Sequence, residues 1–114
     1  MPYSFGTVIL APFPFTVQSA SKQRPAVIVS SNACNLARRD LIVMAITSQL
    51  RADASGFDRQ IGKWQEAGLL KPSAVKPVIA TLEQTLVGKA PGSLDSGDQA
   101  RLGALLSGIL GREG

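Results

Sequence analysis

Two residues at the ends of apolar runs mark where chemistry could begin. Arg24 stands directly before "PAVIVSS" (25–31), and Thr47 closes "DLIVMAIT" (40–47). Both runs read as strands, nearly all apolar and rich in β-branched residues, which predicts burial on both faces and a central place in a sheet. Pro25 suits the first position of a strand and biases Arg24 towards an extended backbone. If the two strands are antiparallel neighbours joined through 32–39, the loop is centred between residues 35 and 36 and paired residues share an index sum of about 71. Arg24 then falls opposite Thr47, and cross-strand neighbours lie about 4.5–5.5 Å apart at Cβ. Arginine offers a planar donor fork that matches phosphate oxygens and stays charged. Beside a hydroxyl donor it suits a phosphorane, which gains negative charge as it forms. The flanking loops, 14–23 and 48–56, would add Lys22, Gln23, Ser48, Gln49 and Arg51. The plainer alternatives are a surface ion pair for Arg24, a mere strand end at Thr47, and a register slipped by one or two residues.

Composition narrows the chemistry further. The 114 residues suit one compact domain over 1–114 and contain no histidine and one cysteine, Cys34. Histidine bases, Ser-His-Asp triads and zinc sites are therefore not expected, and neither a metal nor a cofactor is called for. Catalysis would fall to arginine, lysine, hydroxyls or carboxylates. The single cysteine excludes an internal disulfide and fits a reducing cytoplasm. The N-terminal stretch lacks a basic n-region and is broken by prolines, so it is not read as a signal peptide, and no apolar run reaches membrane-spanning length. A net charge of +4 gives a mild bias towards polyanions.

The remaining elements must hold these residues in place. "GTVILAPF" (6–13) reads as a first strand and "AVKPVIATL" (74–82) as another, with Pro77 suggesting an edge or a bulge. "FDRQIG" (57–62) is a short strand candidate. "KWQEAGLLKPS" (63–73) is a helical turn stopped near Gly68 and Pro72, and 83–94 is turn-rich. Leu102, Leu105, Leu106, Ile109 and Leu110 form the stripe of an amphipathic helix. Asp95 or Ser96 can cap it, and Asp98 sits in its first turn, where the helix dipole favours negative charge. Short strands with one terminal helix predict a mainly β fold, a small barrel or strongly bent antiparallel sheet with the helix packed on it.

In order along the chain, "GTVILAPFPFT", "SKQRPAVIVSS", "MAITSQ" and "WQEAGLLKPSAVKP" resemble the signature blocks of the MazF/PemK toxins. The closing "GSLDSGDQARLGALLSGIL" extends the likeness over nearly the whole chain. The resemblance implies an SH3-like β-barrel with a C-terminal helix, usually a homodimer. It implies the toxin of a type II toxin–antitoxin pair, an mRNA interferase that cuts single-stranded RNA without a metal. The ribose 2′-hydroxyl would attack the adjacent phosphate and leave a 2′,3′-cyclic phosphate and a 5′-hydroxyl. The arginine of the "RP" block and the threonine of the "TSQ" block would be catalytic, and here these are Arg24 and Thr47. Some members carry a histidine or an Asp–Arg pair in their proposed site; this chain has no histidine, so the proton acceptor stays open. Arginine is too weak a base for that task, which leaves solvent or a carboxylate such as Glu83. The family also implies a MazE/PemI-like antitoxin with an acidic disordered tail, which a basic surface would suit.

Lys22, Gln23, Ser48, Gln49, Arg51, Lys71 and Lys76 are candidates to hold RNA phosphates and base edges. Phe15 is a candidate to stack a base, and Glu83 and Gln84 to read one. Trp64 is expected to anchor the short helix to the barrel. Two other readings compete with the nuclease. One is a CcdB-like toxin that binds DNA gyrase without catalysis. The other is an inactive relative that only binds its antitoxin.

Overall fold

The computed structural model describes residues 3–12, 23–50 and 59–111. Six strands form one antiparallel sheet: β1 (Thr7–Ala11), β2 (Arg24–Ile28), β3 (Asp40–Thr47), β4 (Arg59–Gln60), β5 (Ala74–Glu83) and β6 (Lys89–Ser93). Their order across the sheet is β4-β5-β3-β2-β1-β6. Helix α1 (Asn32–Ala37) joins β2 to β3, and helix α2 (Ser96–Ile109) closes the described chain. This is the mainly β, SH3-like half-barrel with a C-terminal helix that the sequence predicts.

The apolar runs of β2 and β3 are buried on both faces, because period-2 alternation feeds two separate cores. Val27, Met44 and Ile46 join Val8, Leu102 and Leu105 under α2. Ala26, Ile28, Leu41 and Val43 join Ile9 and Leu82 on the opposite face. The C-terminal helix contributes only Leu102 and Leu105 as fully buried leucines, and Leu110 is exposed.

Two segments differ from the sequence reading. The connection after β2 contains α1, capped by Ser31, whose hydroxyl accepts from the Cys34 amide. Buried Asn35 ties it down by donating to the Tyr3 and Ser30 carbonyls. The turn-rich stretch 83–94 contains a 3-10 turn (Gln84–Leu86) and the whole of β6. Its Lys-Ala-Pro-Gly-Ser sequence has no strand propensity, so pairing with β1 makes it a strand.

Residues 62–68 form consecutive turns, fixed at both ends. Gly68 ends them with φ of 85°. A Cβ there would stand 2.7 Å from Pro91, so glycine lets the turn lie directly on β6. Trp64 is half-buried and packs on the core under α2, as expected of an anchor. At the other end, Asp98 does more than complement a helix dipole. It is buried, accepts from the Gly62 and Lys63 amides at 2.9 and 3.0 Å, and pairs with Arg101. Burial by itself would raise its pKa; the two backbone donors and Arg101 outweigh that and hold the carboxyl below its ordinary value of 3.8.

The two outer strands of the sheet are β4 and β6. Among the described residues β4 pairs with β5 at Ala74 and Val75, and β5 runs on from there with Pro77. β6 holds Pro91. Among the described residues no helix is long and apolar enough to cross a membrane.

Asp98→Ala removes the acceptor of two backbone amides and is expected to cost about 2–4 kcal/mol at neutral pH in denaturant melts. A carboxyl with a lowered pKa contributes stability that is complete above 3.8 and is lost as the pH falls through the lowered value. The gap between wild type and variant should therefore narrow on acidification below that point, and a gap independent of pH would contradict the assignment.

Candidate functional site

β2 and β3 pair as Ala26↔Ala45, Val27↔Met44 and Ile28↔Val43, each with index sum 71. Carried back along both strands, this register sets Arg24 opposite Thr47 on one face of the sheet. The two residues line a groove of about 490 Å³ at that end of the sheet. Arg24 is exposed, and the described residues give it neither an ion pair nor a hydrogen bond. The Thr47 hydroxyl accepts from the Gln49 amide at 3.1 Å. That bond uses a lone pair, so the hydroxyl hydrogen is left to donate into the groove.

β5 supplies the next wall. Met44 pairs with Ile79 but Ile46 pairs with Val75, so Ala45 faces three residues, Lys76, Pro77 and Val78. The two extra residues bend β5 away from a regular ladder. Of the two sequence readings of Pro77, an edge or a bulge, the bulge is what the ladder shows. Lys76 lines the groove beside this bulge. The 68–71 stretch forms the remaining wall, with Leu69, Leu70 and Lys71. The buried Ser73 hydroxyl holds it by donating to the Lys71 carbonyl at 2.9 Å.

Arg24, Lys71 and Lys76 thus share one groove in which no described residue is acidic. Apolar surface from Leu10, Pro25, Ile46, Leu69 and Leu70 lies between the cations. Such a groove suits an anion that also carries apolar surface, and Arg24 and Thr47 supply adjacent donors to it.

The other sequence candidates are divided. Ser48 and Gln49 line the groove with Thr47. Gln23 is exposed and lies against Gly88, where an added Cβ would meet its Oε1 at 2.6 Å. Phe15, Lys22 and Arg51 lie outside the described residues. Glu83 and Gln84 do not reach the groove within one chain. Asp40 pairs with Glu83, whereas Thr47 pairs with Ala74, at opposite ends of the β3–β5 ladder. That separation is roughly 23 Å at about 3.3 Å per strand residue. Glu83 accepts from the Thr85 hydroxyl. Gln84 donates to the Asn35 and Arg38 carbonyls at 2.8 and 3.1 Å, so its amide hydrogens fasten the end of α1. The register thus places the Glu83 carboxylate away from the groove of its own chain.

A family model described as the PemK-like, MazF-like toxin of type II toxin–antitoxin systems matches residues 4–110. The chain belongs to this family. Solved structures of MazF toxins have the same fold at low sequence identity. A mycobacterial endoribonuclease in complex with its cognate antitoxin is 18% identical, with a TM-score of 0.75 over 99% of this chain and 97% of its own. The Mycobacterium tuberculosis toxin MazF-mt6 is 18% identical, with a TM-score of 0.74 over 95% and 99%. The MazE–MazF complex of Deinococcus radiodurans is 14% identical, with a TM-score of 0.76 over 99% of both chains. Comparison with curated protein sequences gives no match.

The toxin's two kinds of polar residue should separate in stability measurements. Arg24→Ala removes an unpaired surface side chain and is expected to change unfolding free energy by less than about 0.5 kcal/mol. Gln84→Ala leaves two carbonyls without their donor and should cost about 1–2 kcal/mol. Thermal or urea unfolding of both variants gives the comparison.

Proposed function

We propose that this toxin is a metal-independent endoribonuclease that cleaves single-stranded RNA in the cytoplasm. The observation that carries the reading is that Arg24 and the Thr47 hydroxyl line one groove together with further cations and, among the described residues, no carboxylate. The ribose 2′-hydroxyl attacks the adjacent phosphorus and gives up its proton to solvent. The P–O2′ bond forms, the P–O5′ bond breaks, and the 5′-oxygen leaves as a hydroxyl once protonated. Arg24 holds the non-bridging oxygens and stabilises the charge gained by the phosphorane. Thr47 donates to a phosphate oxygen or to the departing 5′-oxygen. Lys71 and Lys76, with Gln49 and Ser48, hold flanking phosphates and base edges.

With solvent as the proton acceptor the enzyme runs without a tuned general base. Such a base is typically worth 10²–10⁴-fold, so catalysis rests on positioning and charge and a slow turnover is expected. Family membership and the antitoxin complexes of its structural neighbours support two partners, a second copy of the chain and an antitoxin with an acidic tail.

Incubation with long single-stranded RNA in EDTA, followed by mapping of the ends, tests the reading. Discrete cuts bearing 2′,3′-cyclic phosphates are expected. Arg24→Ala and Thr47→Ala should each lower the rate by about 10²–10³-fold, the loss typical of a transition-state donor, while Thr47→Ser keeps much of it. Cutting that survives Arg24→Ala would move the active site elsewhere, and no cutting by wild type would favour the gyrase-binding or antitoxin-binding alternative. Removing Lys71 or Lys76 should also reduce the slope of log affinity against log salt by about 0.7 each, in titrations with single-stranded RNA.

A further inference from the structure

RNA carries bases as well as phosphates, and the cations of the groove account for the phosphates alone. Single-stranded RNA is ordinarily gripped by stacking its bases on aromatic rings. Among the described residues that line this groove none is aromatic. The groove does hold a different kind of apolar projection. Leu70 is 94% exposed, more than the other exposed large hydrophobic residues among those described, and it stands on the rim between Leu69 and Lys71. A lone exposed leucine is common on protein surfaces. What sets this one apart is its mounting.

The segment that carries Leu70 is clamped on every side. Gly68 rests on Pro91, and a Cβ at Gly92 would stand 2.6 Å from the Ala67 carbonyl oxygen, so the turn and β6 are in direct contact. The Leu69 amide donates to the Trp64 carbonyl at 3.0 Å, and the Leu69 side chain is buried. Asp98 holds the start of the turn through Gly62 and Lys63. Beyond Leu70, Ser73 holds the Lys71 carbonyl, and the Ile61 amide donates to the Ser73 carbonyl at 2.9 Å. A backbone fixed on both sides of Leu70 presents its exposed side chain from a set point at the edge of a cationic groove, so no loop has to be ordered when a flat apolar partner arrives, which favours binding.

We infer that Leu70 is the platform for a nucleobase next to the phosphate held by Arg24, and thereby a determinant of which RNA sequences are cut. Lys71, its neighbour, then lies where it can hold the phosphate of the same nucleotide. An aliphatic platform reads the size and shape of a base by contact, so it discriminates modestly between bases. The inference rests on the nuclease reading above and adds the residue that meets the base.

Leu70→Ser, Leu70→Phe and, as a control at the opposite end of the sheet, Leu36→Ser separate the possibilities. Leu36 is also highly exposed and lies by Arg38 and Glu83, away from the groove. Melting temperatures should be equal, since both leucines are exposed. Steady-state cleavage of a short single-stranded RNA containing a mapped site should show KM raised about tenfold in Leu70→Ser, with kcat within twofold. Its map of cuts on a long RNA should spread to sites that wild type passes over. Leu70→Phe should restore or lower KM, and Leu36→Ser should match wild type. Unchanged KM and an unchanged map in Leu70→Ser would overturn the inference, as would a fall in kcat alone. Fluorescence anisotropy with a labelled single-stranded RNA 12-mer reads the same contact without catalysis. Were wild type to bind that RNA but cut none, the nuclease reading would fail by itself, while a tenfold weaker Kd in Leu70→Ser would still support the platform and an equal Kd would sink it.

Discussion

In a sheet whose two faces are both buried, sliding β2 by one residue against β3 would send its side chains to the wrong cores. Val27 would leave the pocket under α2, and Ala26 and Ile28 would be driven into it. Period-2 alternation makes such a slip costly over the whole strand. The register is therefore held by every buried residue of both strands, and Arg24 and Thr47 inherit it without contributing to it. Two residues that stabilise little are held in place by neighbours that stabilise much. That division gives an exposed arginine a fixed place at the sheet's end without calling on its side chain for stability.

The rest of the groove uses the same economy. The two-residue excess in β5 opposite Ala45 turns a regular strand into a wall, and Pro77 is tolerated because the ladder is already interrupted there. The 68–71 stretch forms the other wall, continuing from turns that lie on β6, where glycine at 68 and 92 permits the approach. Asp98 joins that wall to the terminal helix. Helix, turn and sheet edge are thus one mechanical unit, and the groove is its open side.

The sequence discloses what local periodicity controls. Both central strands, a cap at Asp95 or Ser96, of which Asp95 serves, and the index sum of 71 between β2 and β3 could be read from spacing, because burial on two faces leaves an unbroken apolar run and a hairpin's register follows from its centre. What depended on distant partners could not be read. The β6 segment lacks any strand signal and exists through β1. Asp98 looks like a first-turn acid of a helix, yet its main partners lie 35 and 36 residues away. Glu83 and Gln84 adjoin a strand that also reaches the groove, but they sit at the wrong end of it. Nor does "AGLLKPS" reveal that it lines the same cleft as Arg24, since no periodic pattern links a turn to a sheet edge.

The outer rims of the sheet carry a further consequence. Among the described residues β4 pairs with β5 only at Ala74 and Val75, Pro77 follows on β5, and β6 carries Pro91 and is overlain by the Gly68 turn. Proline donates no backbone hydrogen bond, and a covered border resists growth of the sheet by addition of strands. A strand arriving from another molecule would find little to pair with along β6, and a partner of this toxin gains more there by gripping faces and grooves than by lengthening the sheet.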